Sequence, residues 1–305
     1  EPLAQAIQRA ALEQLDIAIA QLGGSAGKPD ERATHETRKA LKRLRAMLRL
    51  LRDELGEVVY TRESRALAGV AARLSETRDA EVLVETLDAL VARHPRKLRR
   101  RGVAKLRRRL VAASRRARRR GVQDAHTRAL ALQELRALRS RVAMWELGCD
   151  REQLLEGGLR RIYRAGRRRQ RRAERARPRD RDEALHEWRK RVKDLRYCSE
   201  LLQRRSEELP APGARATRLA RVAARADELG ELLGEDHDLA LLAMTLKERS
   251  TRKATGRRTR RRVRKRIAQR RRKLRRRALR RGARLYRRPP RRFIGALRAG
   301  RAPLS

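Results

Sequence analysis

Over 305 residues the chain carries 85 Lys and Arg against 37 Asp and Glu, a formal charge of +48. A surface so cationic repels itself and calls for an anionic partner, while a hydrophobic share of 40% excludes a disordered basic tail. Aromatic residues make up 2% and the apolar residues are mostly Leu, Ala and Val, which points to packed helices rather than sheets.

Apolar spacing and chain breakers place the elements in order. The first half predicts helices near 3–22, 31–55, 58–77, 79–93, 96–119 and 127–145. Gly23, Gly24, Gly27 and Pro29 separate the first two, Gly56 ends the second, and Pro95 opens the fifth. The second half predicts helices near 152–176, 181–206, 214–233, 236–249, 257–286 and 290–299, with a loop at Pro210, Pro212 and Gly213. Two of these helices are very basic, yet each keeps a thin apolar seam. One runs through Leu98, Val103, Leu106, Leu110 and Val111, the other through Val263, Ile267, Leu274 and Leu279.

The halves share more than composition. HETRKALKRLR from His35 recurs as HEWRKRVKDLR from His186 at a constant spacing of 151 residues, with seven of eleven positions identical. Leu74, Glu76 and Asp79 match Leu233, Glu235 and Asp238 further on. The pattern is that of a duplicated all-α protein with units 1–150 and 151–305.

In the first repeated helix Leu41, Leu44, Leu48, Leu51 and Leu55 gather on one side, and His35, Arg38, Lys39, Lys42 and Arg49 on the other. In the second, Trp188, Val192, Leu195 and Leu202 oppose His186, Arg189, Lys190 and Lys193. A solvated helix face ordinarily mixes charges in stabilising pairs. Like charges at i, i+3, i+4 and i+7 repel, at a cost of about 1 kcal/mol for several together, unless a polyanion neutralises them. A lone histidine near a helix start is more often structural than ligand-binding. Two at matched positions beside Arg and Lys fit phosphate hydrogen bonding, which would make binding sensitive to mild pH change.

The remaining signals are weak. His237 with Asp238 has no partner histidines at metal-ligand spacing, and Asp238 reads as a helix-start cap. His94 and His126 are assigned no role. No phosphate-cradling glycine loop or carboxylate cluster is present, so no catalytic residue, metal or cofactor is assigned. Cys149 and Cys198 read as ordinary thiols of a reducing, cytoplasmic compartment rather than a disulfide framework or zinc site. No run approaches the ~18 apolar residues of a membrane span. No signal-peptide pattern opens the chain, which starts at Glu1 rather than Met, so a removed leader stays open.

The paired His-x-x-Arg-Lys-x-x-Lys-x-Leu-Arg helices resemble those of the CHAD family, the conserved-histidine alpha-helical domains. Tyr197, the Leu-Gly-Glu-x-x-Asp stretch at Leu233–Asp238 and GLRRIYRAGRRR from Gly158 reinforce the resemblance, which runs from about residue 3 to 300. Departures are Ser75 in place of the usual Gly, Thr37 where the second half has Trp188, and no fused triphosphate-processing tunnel domain.

The resemblance implies two pseudo-symmetric four-helix bundles with a basic cavity or groove between them. It also implies non-catalytic binding of inorganic polyphosphate, with polyphosphate granules as the expected location. It carries His35, Arg38, Lys39, Lys42, His186, Arg189, Lys190 and Lys193 onto the polyphosphate-contacting role, and Arg45, Arg49, Arg196 and Tyr197 extend that set along the same helices. Phosphate or sulfate ions are expected in the same site. The competing reading is sequence-independent nucleic-acid binding. Charge alone would support weak affinity at low salt, but few aromatics are available for base stacking.

Overall fold

Leucine and alanine recur at helical spacing throughout, and in the computed structural model every regular element among the described residues is helical. The structure describes residues 3–24, 31–98, 101–120, 125–148, 150, 153–207, 213–248, 251 and 255–298. In chain order these form α1 (Leu3–Gly23), α2 (Glu31–Leu50), α3 (Arg52–Arg73), α4 (Ser75–Arg93), the single turn α5 (Pro95–Leu98), α6 (Arg101–Arg120) and α7 (Ala125–Ala143). A π-helical turn (Leu154–Leu159) leads into α8 (Arg160–Arg175), followed by α9 (Arg181–Glu207), α10 (Ala214–Thr245), α11 (Arg257–Leu285) and α12 (Pro290–Arg298).

The reversal between α2 and the body of α3 sits at Gly56, as the sequence predicts. Helical hydrogen bonding runs on past Leu50, with Leu51 N–H donating to Met47 O at 2.9 Å and Leu55 N–H to Leu51 O at 2.9 Å. The chain then turns at Gly56 (φ 70°, ψ 164°), a conformation that a Cβ would strain.

Two expected boundaries move. The break near 77–79 falls at Leu74, between α3 and α4. The break between 233 and 236 does not exist, because α10 runs unbroken through Gly234, Asp236 and His237. Asp238 is therefore a mid-helix residue and not a cap. A helical Gly costs only about 1 kcal/mol, which the leucines on either side outweigh by burial.

Helices α1, α2, α3 and α7 pack in a ring, and α8, α9, α10 and α11 pack in a second, with α12 lying across α8 and α10. The first ring is pinned by buried Glu63 of α3, which accepts from Arg141 Nε of α7 at 2.9 Å. The rings meet where α2 lies antiparallel to α9. Ala46 stands opposite Cys198, whose thiol donates to the Ala46 carbonyl at 3.3 Å, and Arg49 stands opposite Asp194. One leucine-rich core runs continuously through both rings. A smaller core, including Leu87, Leu98, Leu106, Leu242 and Ile267, joins α4, α5 and α6 to the later part of α10 and the first half of α11.

Cys149 and the Pro210 and Pro212 loop positions lie outside the described residues, as do the side chains of Glu76, Arg78 and Asp79. The described partners of the second sequence match, Leu74 and Leu233, are both buried.

Candidate functional site

The N-terminal turn of α9 carries Asp182 and Glu183, which complement the helix dipole. Beyond it Trp188, Val192 and Leu195 are fully buried, and the Trp188 ring occupies the space left by the missing Cβ of Gly282 on α11. That anchoring sets the rotation of α9, so His186, Arg189 and Lys193 are turned toward α10.

There the His186 ring lies 4.3 Å from the ring of His237, tilted by 31°. The Arg189 guanidinium passes over Gly234, where a Cβ would stand 3.4 Å from Nη2. Lys193 faces Glu231 and Asp238. Lys190, further out, donates to Glu187 Oε1 at 2.5 Å. The second basic stripe is thus one wall of a half-buried crevice, not the open face that its helical spacing suggests.

Burial and crowding of like charge govern its electrostatics. Burial, then Lys190 and Arg189, hold the His186 pKa below its ordinary value. His237 is pushed down to about 4 by burial, His186 and Arg189. Lys193 falls to about 8 through burial and the neighbouring Arg189, with Glu231 opposing. Both histidines are therefore neutral near pH 7. Arg189 Nε and His186 Nδ1 are buried without a hydrogen-bond partner among the described residues.

On α2 and its continuation toward Gly56, Leu41, Leu44, Leu48 and Leu51 are buried as predicted, while Leu55, in the first turn of α3, is only partly so. His35 is exposed, Lys39 pairs with Glu36 at 3.5 Å, and Lys42 is half-buried. Arg38 Nη1 donates to the Leu74 carbonyl at 2.6 Å, at the break between α3 and α4. This position corresponds to that of Arg189 beside Gly234, since Ser75 aligns with Gly234. Thr37, in the place of Trp188, is buried and donates to Ala33 O at 2.8 Å.

Four of the predicted residues are held elsewhere. Arg49 donates to Asp194 Oδ1 at 3.0 Å across the seam between the rings, and Arg45 stands beside it. Arg196 pairs with Glu200 at 2.7 Å and with Asp227, and its guanidinium lies 5.6 Å from the Tyr197 ring centroid. The Arg49 and Arg196 guanidiniums are therefore matched by carboxylates, and the structure does not bring these four to the histidines. Asp194 itself is buried, which raises its pKa against the pull of Arg49 and Arg191.

Sequence reasoning missed His237, Arg191 and Asp194. The signal for His237 was available, since it lies near the aligned acidic stretch, but the assumed helix break hid its face.

A cavity of about 990 Å³ opens beside the start of α9, lined by Arg93, Arg181, Arg266, Lys273 and Arg276 among others. Arg189 also reaches a second, of about 430 Å³, between α4 and α10. Among the described residues no group of three His, Cys, Asp or Glu stands close enough to hold a metal ion, and no helix is long and apolar enough to cross a membrane.

Compared with known families, residues 9–247 match the model of the CHAD domain. No curated protein and no solved structure matches the chain.

Proposed function

The chain belongs to the CHAD domain family, and on that premise we propose that it binds inorganic polyphosphate without turning it over. His186, Arg189, Lys190 and Lys193 contact the chain in the second half, and His35, Arg38, Lys39 and Lys42 in the first. Two duplicated units, 1–150 and 151–305, would each present one such face, and polyphosphate granules in the cytoplasm are the matching location.

The observation that carries this reading is the pair of buried, unpartnered nitrogens, Arg189 Nε and His186 Nδ1, in a crevice crowded with positive charge. A buried donor without an acceptor costs about 1–3 kcal/mol. Phosphate oxygens supply acceptors and charge together, and guanidinium grips them through paired N–H groups. A polyphosphate offers only such oxygens, and nothing in the crevice needs a base to read.

Arg189→Gln with Lys190→Gln should weaken binding of long-chain polyphosphate by about tenfold or more, the loss of a single charge-assisted bond being worth roughly that factor. The helical circular dichroism should not change. Unaltered affinity would remove the crevice from the site. In competition, duplex DNA at equal phosphate should fail to displace labelled polyphosphate at ordinary ionic strength. Displacement on equal terms would favour sequence-independent nucleic-acid binding instead.

A further inference from the structure

Seven arginines ring a separate cavity of about 640 Å³ at the other end of the second helix ring, contributed by α10, the end of α11 and the turn into α12. Its wall is firmly built. The Tyr163 and Phe293 rings stack with centroids 3.9 Å apart, and the Tyr163 hydroxyl lies 3.2 Å from the Leu285 carbonyl and 3.0 Å from that of Arg288. Arg218 donates to the Ala296 carbonyl and so ties α12 to α10.

Charge here is poorly matched. Among the described lining residues the only acid is Glu228, which pairs with Arg281 at 3.3 Å. Arg221, Arg225, Arg284 and Arg287 are exposed and have neither an ion pair nor a hydrogen bond among the described residues. Exposed arginines without an acid partner among the described residues recur along α11, Arg261 and Arg264 included, and what distinguishes these four is that they converge on one cavity. Earlier on the same helix, Arg270, Arg271 and Arg275 are matched by Glu235, Asp236 and Asp182.

We propose that this cavity is a second anion site, taking a compact phosphate-rich group of three or more negative charges. Guanidiniums converging from two helices suit several phosphate oxygens at once, each through paired N–H groups. The Tyr163–Phe293 wall and α12 close one side, so the site fits a few phosphates rather than the width of a nucleic-acid duplex. Such a group is either a free oligophosphate or the end of a longer polyphosphate. Arg225 stands about 18 Å along α10 from His237, at 1.5 Å per residue, and of the lining residues Glu228 alone also borders the cavity that Arg189 reaches, so the arginine cluster does not rest on the reading of the histidine crevice.

The test is calorimetric titration of the full chain with tripolyphosphate, with Arg189→Gln/Lys190→Gln as the background that disables the crevice. In that background tripolyphosphate should still bind. Adding Arg221→Gln, Arg225→Gln, Arg284→Gln and Arg287→Gln should weaken it by about tenfold or more. A charge-matched control, Arg115→Gln, Arg116→Gln, Arg261→Gln and Arg264→Gln, changes exposed arginines away from the cavity and should weaken it less than about threefold by general screening.

Equal losses in the two quadruple variants would reduce the effect to bulk charge and overturn the site. So would complete loss of tripolyphosphate binding in the background alone. Long-chain polyphosphate separates the sources: weakening of tripolyphosphate alone identifies a free oligophosphate, and weakening of both identifies a chain end. Apart from Arg189, which is half-buried, these variants lie at exposed positions, and a cooperative thermal melt no lower than that of the original chain confirms that each is folded.

Discussion

His237 shows how much a single side chain depends on its neighbours. Burial, His186, Arg189, Arg271 and Lys190 all oppose its protonation, and its pKa of about 4 lies well below the 6.5 expected in the unfolded chain. Between those values the unfolded chain binds more protons than the folded one, so stability falls as pH drops from about 6.5 toward 4. The melting temperature of the ligand-free protein should fall over that range, and His237→Gln should flatten the fall. An undiminished slope in that variant would place the titration elsewhere. A polyanion in the crevice reverses the local field, so its affinity should rise as pH falls, with proton uptake measurable by titration in buffers of different ionisation enthalpy. Gly282 makes a second case. A Cβ there falls on the Trp188 ring, and Gly282→Ala should cost about 1–3 kcal/mol by overpacking despite the better helix propensity of Ala. Gly295→Ala, on α12 with open space at its Cβ, should be neutral or slightly stabilising by thermal melting.

At the scale of elements, the amphipathic faces of α2 and α9 were legible because helix periodicity alone separates Leu44 from Lys42 and Trp188 from Arg189. The periodicity could not say what lies opposite the polar face. Half-burial of that face comes from α10, whose position depends on contacts remote in sequence. The false break at Gly234 has the same origin. A glycine reads as a helix end, and only the approach of Arg189 shows why a small residue stands there. GLRRIYRAGRRR was recognisable as a pattern before it had a reason. In the fold Gly158 lets the π-helical turn approach the Leu50 backbone, Tyr163 braces the end of α11, and Gly166 makes room for Tyr286. The smaller core makes α4 and α6 an arm attached to α10 and α11. Leu106→Ala, fully buried on that arm, should cost about 2–5 kcal/mol. Hydrogen exchange should then quicken in α4 and α6 before α1, α2 or α7. Uniform loss of protection would show that arm and rings unfold as one unit.

For the whole molecule, a formal charge of +48 makes the folded state work against its own repulsion. Many arginines are locally matched, as Arg107 is by Asp88 and Arg139 by Asp16, but exposed pairs of this kind contribute only about 0–1 kcal/mol each. The excess charge is spread over both basic helices and both ends of the molecule, so compaction concentrates it. Salt should relieve the strain. The melting temperature should rise as ionic strength increases from about 0.01 M, where charges interact over ~30 Å, to about 0.15 M, where the range is ~8 Å. Polyphosphate should raise it further at far lower concentration, because a ligand that binds only the folded chain stabilises it by mass action in addition to screening. The two contributions separate in Arg189→Gln/Lys190→Gln, which should keep the response to simple salt and lose most of the extra response to polyphosphate. If the variant and the original chain gain equally from polyphosphate, the crevice contributes nothing specific to the stabilisation.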